Sequence, residues 1–551
     1  SFAGGLTLGA QGTLDVTGSK LSAGGTLDLS SGTFTSNNSS VLELQAEIVL
    51  STGDQSDFSN IIFNEYELTL GSASTHLRLC YDANSVNKWE DSTFDTSDGS
   101  LTFICPLRIP SSILKSTGGT ITLEKGGYVP EESRLSLQDT TLELQGEYPL
   151  HVFLGSTLEL KNTSIETNGI PIAIHDGFLE VEGTQDLTGI IPDNNSSPTL
   201  RLTGDAIVSD NTTFSVYTLD LADFALTLDD NMAGLSVSQA VTLDAATEQI
   251  VSGDADLSLN GGVTVNAGTL SSTGGTLTLP IGATLASGAS FSTSNTTLNL
   301  GGSLTVADTW TSDNTSVSLT DNASLSSTVP LSLATLDTNG HDIKLASAAS
   351  DLTITEGVTV NYAGFGGLSS GEADLILNGS VNVLYGGILS SGGTVTFGGG
   401  SSGASFSESN SGMLLEDTTL VLQTALDLPY LELSGTSSFQ TNGNTLNLGF
   451  LKIGVQNELD LTNVVTDDES ELFLMGNSAI TKAGALVFNQ IANKGYTLTL
   501  NPAITSLTAK SLYIPNLHDS NEPNYLASTG KLLAQGVDVT LRKQIYLKKG
   551  T

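Results

Sequence analysis

The chain of 551 residues carries 59 acidic residues against 19 basic ones, a formal charge of −40, with 38% hydrophobic and only 6% aromatic residues. Binding to nucleic acid rests on basic residues that neutralise phosphates, and between Leu202 and Leu451 the sole Lys or Arg is Lys344, so nucleic acid is not an expected partner. No stretch approaches the ~20 consecutive apolar residues of a membrane-spanning helix, and no membrane insertion is expected.

Alternation begins at once, with Leu6, Leu8, Leu14 and Val16. The opening SFAGGLTLGA lacks the charged and apolar regions of a signal peptide, so the chain is expected to be a processed mature protein or a segment of a longer one. A short phrase then recurs: TLDL at 26–29, TLEL at 141–144 and 157–160, TLDL at 218–221, TLTL at 276–279, TLNL at 297–300 and 445–448, and TLTL at 497–500. Alternation of this kind turns the leucines to one face of a short β-strand and Asp, Glu, Thr or Asn to the other. A four-residue strand buries too little to stand alone, whereas many strands stacked at a fixed period share one core.

Residues 52–110 interrupt the phrase with Phe58, Phe63, Tyr66, Tyr81, Trp89, Phe94 and Phe103 and both cysteines, and NSVNKWEDSTFDTSDGS reads as a long loop. Cys80 and Cys105 are twenty-five residues apart, one coil plus a modest insertion, and form the disulfide candidate. Two cysteines in a Ser/Thr-rich chain suit an oxidising compartment. Strict alternation puts Cys80 on the face of His76 and Arg78 and Cys105 on that of Leu101 and Phe103, so a bulge or corner must reset the parity. Titration that found two free thiols in the native protein would dispose of the bridge.

The stretch 274–345 parses into units of six or seven residues, a strand plus a turn, and three such units make a coil of about twenty residues. Thr-Asn-Gly at 167–169, 338–340 and 441–443 marks corners, because Asn-Gly readily takes positive φ. His341 follows one of them and reads as a solvent-facing turn residue. Beyond about Asp460 come TDDESELF, the loop IPNLHDSNEPNY and a basic tail with Lys531, Arg542, Lys543, Lys548 and Lys549 against Asp538. The expected fold is therefore all-β, a right-handed parallel β-helix (β-solenoid) with about twenty residues and three short strands per coil. Its expected parts are N-terminal coils over 1–51, the aromatic and cysteine-containing elaboration over 52–110, the main solenoid over 111–460 and less regular coils or a cap over 461–551. Some 20–25 coils at ~4.8 Å spacing would give a rod roughly 100–120 Å long.

Chemistry is sparse. Polysaccharide-cleaving solenoids combine Asn-Thr-Asp, Asp-Asp, Gly-His-Gly and Arg-Ile-Lys; this chain has Asp229-Asp230 and Asp467-Asp468 but neither of the last two signatures. Aromatic platforms for sugar are few, with Trp89 and Trp310 the only tryptophans. Calcium is conceivable at Asp254 and Asp256, at Asp229 and Asp230, or at Asp467, Asp468, Glu469 and Glu471. No EF-hand or glycine-rich nonapeptide array occurs to assemble the six to eight oxygens it prefers, so solvated carboxylates are the expectation and no cofactor or metal is assigned. The Asn-x-Ser/Thr triplets at Asn162, Asn211, Asn295 and Asn314 read as chance in a chain this rich in those residues. No catalytic residue is assigned, and the chain is not expected to be an enzyme.

With its Gly-Gly-Thr-Leu-x-Leu phrases and turns such as LDTNGHDIKL, the sequence resembles the β-solenoid regions of bacterial surface adhesins, of the filamentous-haemagglutinin or autotransporter-passenger kind. The resemblance covers most of 1–460 in repeat grammar and carries no functional residues. It implies export to the cell surface or beyond, a rigid non-enzymatic rod or fibre subunit, self-association end to end or side by side, and a host, cell-surface or glycan receptor. The alternatives are a carbohydrate-binding or carbohydrate-cleaving β-helix and a calcium-dependent matrix or surface-layer component.

Overall fold

A computed structural model describes residues 1–37, 39–52, 55–58, 60–62, 66–71, 75–79, 93–109, 112–193, 195–346, 351–364, 366–400, 404–407, 411–455, 458–492, 496–514, 531–534 and 536–547. Strands make up 61% of the chain and the described residues contain no helix, so parallel strands are joined by corners instead of crossover helices. The polypeptide winds as a parallel β-solenoid of about 22 turns with ~21 residues in each. It divides into two units, Ser1–Leu277 and Thr278–Thr551.

In the first unit, one side of the coil stacks Leu114, Leu135, Leu158, Leu179 and Leu200 directly over one another in parallel register. A second side stacks Leu101, Ile121, Leu142 and Ile165. A third carries Leu107, Gly127, Leu150, Ile172 and Ile190. The alternation is literal: Thr141–Leu144 and Thr157–Lys161 bury every second residue and leave the others half-exposed. Because mostly aliphatic side chains meet from turn to turn, the core is a lengthwise column of aliphatic groups, each Leu contributing ~1.5–3 kcal/mol of burial. Phe58, Phe94 and Phe103 join that column as fully buried rings, Phe94 standing between Leu68 and Leu114. Phe63, Tyr81 and Trp89 lie outside the described residues.

The second unit repeats the plan. Leu352, Leu375, Val395 and Leu420 stack on one side, and Leu431, Leu451, Leu472 and Ile491 on another. Here the sides are not always separate strands. Thr297–Val306 and Ser316–Ser327 each run around a corner as one bent strand, and their register shifts between Leu300 and Gly302. Gly302 has φ +63°, a left-handed kink that an unbranched backbone takes without strain, so the ladder bends there and continues. Units of strand plus turn are therefore too simple a description of these coils.

The Thr-Asn-Gly corners form as expected. Asn168 and Gly169 have φ of 50° and 83°, Asn339 and Gly340 of 47° and 89°, and Asn442 and Gly443 of 51° and 85°. Each asparagine also donates its side-chain amide to a leucine carbonyl on the preceding turn, at Leu144, Leu319 and Leu422 respectively. The corner is thereby tied to the coil beneath it.

A second corner was not anticipated. Asp139, Asn162, Asn295, Asn314 and Asp417 all adopt φ between 47° and 50°, and each precedes a threonine that is almost wholly buried: Thr140, Thr163, Thr296, Thr315 and Thr418. Those hydroxyls turn inward and donate to main-chain carbonyls at 2.7–3.1 Å. Asn162, Asn295 and Asn314 thus have a conformational reason to stand before Thr: Asx tolerates the left-handed region and Thr satisfies the polar groups a sharp corner leaves inside.

Candidate functional site

The acidic residues take their places from these corners. Asp15, Asp28, Asp186, Asp210, Asp229, Asp337, Asp460 and Asp467 each accept the backbone N–H two residues on, at 2.9–3.2 Å. Hydrogen bonds to the carboxylate favour its charged form. Thr17 beside Asp15 and Ser30 beside Asp28, each through its hydroxyl and its N–H, hold those carboxyls below the usual range.

The candidate calcium ligands are separated by this arrangement. Asp229 binds the amide and side chain of Asn231. Asp256 accepts the N–H of Thr276 at 2.7 Å, while Asp254 and Asp230 are exposed. Asp467 caps its own turn through the N–H groups of Glu469 and Ser470 and the Ser470 hydroxyl, whereas Asp468 pairs with Lys510 at 2.9 Å. Glu471 stands on the ladder between Phe450 and Gln490. Among the described residues no group of three or more His, Cys, Asp and Glu is placed to hold a metal ion.

Several basic residues of the ladders face carboxylates one or two turns away. Lys20 meets Glu43 at 3.0 Å, Lys161 meets Glu182 at 2.6 Å, and Lys452 meets Glu432 at 3.0 Å. The largest such array runs across four turns. Glu180, only 7% exposed in its side chain, receives Arg134 at 2.6 Å and Arg201 at 3.6 Å; Arg134 also reaches Glu159, and Arg201 reaches Asp220. The Arg201 guanidinium further covers the Phe178 ring at 4.7 Å.

Trp310 is no sugar platform: it is 5% exposed, packs on Phe291 and donates its indole N–H to Thr293 at 2.9 Å. His341 follows the corner as expected, half-exposed, with Asp321 at 4.0 Å. Cys80 lies outside the described residues. Cys105 sits in the bend after Ser100–Phe103, and Leu79 stands opposite Phe103; the bridge between the two cysteines stays a proposal. Of the basic tail, Lys531, Arg542 and Lys543 lie on the strands Lys531–Ala534 and Asp538–Leu547, and Lys548 and Lys549 fall outside the described residues.

One cluster escaped sequence reasoning. On the third side of the first unit, His151 and the strand-end residue His175 come together one turn apart, His151 Nδ1 lying 2.9 Å from His175 Nε2. The other nitrogen of His175, Nδ1, is 2.9 Å from Asp193 Oδ2. Phe153 stacks on both imidazoles with centroids 5.8 and 5.3 Å away. Tyr128 meets Phe153 edge-on and receives Arg108 over its face. Tyr148, Leu154 and Ile191 are exposed nearby, at 61, 59 and 55%. Burial, then the neighbouring His175, lowers the pKa of His151. The backbone N–H of Asn195, then His175, holds Asp193 below the carboxylate range. The only sequence signal was that His151 and His175 are 24 residues apart, close to one turn.

A parallel β-solenoid is the class this architecture defines. No family model, curated protein or solved structure matches the chain.

Proposed function

We propose that this chain is a non-enzymatic extracellular structural or adhesive protein, a stiff β-solenoid segment of a cell-surface or fibre component. The observation that carries the reading is the use made of its polar groups. The corner aspartates and the threonines that follow the Asx corners are bonded to the backbone, and the bridging Lys and Arg side chains face carboxylates on other turns. Such a surface invests its chemistry in holding turn upon turn, and its acidity limits sideways aggregation. Repeat grammar of the surface-adhesin kind agrees with it. No helix among the described residues is long and apolar enough to cross a membrane.

Brief protease treatment of intact producing cells, followed by immunoblotting, tests the location. The reading expects the protein to be lost while cytoplasmic markers persist. Full protection on intact cells, with digestion only after lysis, would overturn it.

A further inference from the structure

Among the described residues of the first unit, the histidine cluster is a polar group that neither core nor corners require. The planes of His151, His175 and Phe153 lie within 17–25° of one another, and the two imidazoles meet edge to edge through Nδ1 and Nε2. What the cluster does offer is a pair of imidazole nitrogens held close by the backbone.

We propose that His151 and His175 bind one divalent transition-metal ion of the zinc class, with Asp193 as the positioning residue that orients His175. Two nitrogens each ~2.0–2.1 Å from one ion lie roughly 2.9–3.4 Å apart for ligand angles between a right angle and the tetrahedral angle, and the observed separation is 2.9 Å. The ladder sets that spacing. His151 sits in Leu150–Val152, which pairs with Ile172–Ile174, and the His175 amide donates to the Val152 carbonyl at 2.7 Å.

The proton inventory agrees. Asp193 is a carboxylate and accepts from His175 Nδ1–H, which leaves a lone pair on His175 Nε2. His151 Nδ1 donates to that lone pair in the metal-free array. When the ion enters, the His151 proton passes to its Nε2, both facing nitrogens bind through lone pairs, and no proton is lost overall. The imidazoles swing from facing each other to facing a common point, which the 28% exposure of His175 permits. Imidazole favours zinc, copper and nickel over calcium. With two protein ligands, water completes the coordination sphere.

The test is calorimetric titration of the full chain with Zn²⁺ alone, in excess Mg²⁺ so that surface carboxylates are occupied. One saturable Zn²⁺ per chain is expected. His151→Ala and His175→Ala should each weaken it at least about tenfold, and Asp193→Asn about tenfold. His151→Gln, with an unchanged far-ultraviolet circular dichroism spectrum, separates lost ligation from lost folding. Absence of saturable binding, or equal affinity in the histidine variants, would overturn the site. Unchanged affinity in Asp193→Asn alone would remove the positioning role.

Discussion

Thr315 shows how a corner residue carries weight out of proportion to its size. It is fully buried, its hydroxyl reaches the Thr293 carbonyl at 3.1 Å, and the Thr293 hydroxyl in turn meets Thr315 Oγ1 at 2.8 Å while accepting from Trp310. Thr315→Val keeps the shape but removes the acceptor of the Thr293 hydroxyl proton and a donor to the Thr293 carbonyl, so it should cost ~1–3 kcal/mol in urea unfolding; a loss below a few tenths would show that the network is incidental. Asp417 illustrates the charged version. The Thr436 N–H, then the Thr436 hydroxyl, lower its pKa below the ordinary 3.8. A depressed folded-state value means that stabilisation is complete above the unfolded value and disappears as pH falls through the folded one. The stability gap between wild type and Asp417→Asn should therefore be largest near neutrality and close below about pH 4. A gap that widened on acidification would contradict the assignment. These residues also mark where sequence reading stopped: Thr-Asn-Gly corners were legible because Asn-Gly has a known backbone habit, whereas Asx-Thr corners hid inside an abundance of the same residue types.

At the scale of the strand, stability is shared with the turn above and the turn below and with little else. Leu158 has no exposure and lies between Leu135 and Leu179. Leu158→Ala should cost ~2–5 kcal/mol, and hydrogen exchange should report the loss locally, faster at Arg134–Gln138 and Phe178–Asp186 and unchanged in the second unit at Leu426–Gly435. Uniform acceleration across both units would mean the chain unfolds as one cooperative body. Alternating leucines disclosed these strands by sequence alone. The bent strand Thr297–Val306 was not legible, because its continuity around a corner depends on one left-handed glycine, Gly302, whose role differs from that of its many neighbours.

For the whole molecule, the fold class followed from the period of the repeat, since only stacking lets four-residue strands bury their leucines. The histidine cluster did not, because recognising neighbours one turn apart requires the length of each coil, and the core residues Leu68, Phe94, Leu114, Leu135 and Leu158, paired in succession, are spaced from 20 to 26 residues. The central claim is that residues about one turn apart in sequence are side by side in space. Zero-length carbodiimide cross-linking of the wild-type protein, read by mass spectrometry, tests it directly. The account predicts amide links Lys20–Glu43, Lys115–Asp95, Lys161–Glu182 and Lys452–Glu432, whose partners are 3.0, 3.4, 2.6 and 3.0 Å apart. Links confined to partners three or four residues apart, or joining lysines to carboxylates at unrelated separations, would contradict it.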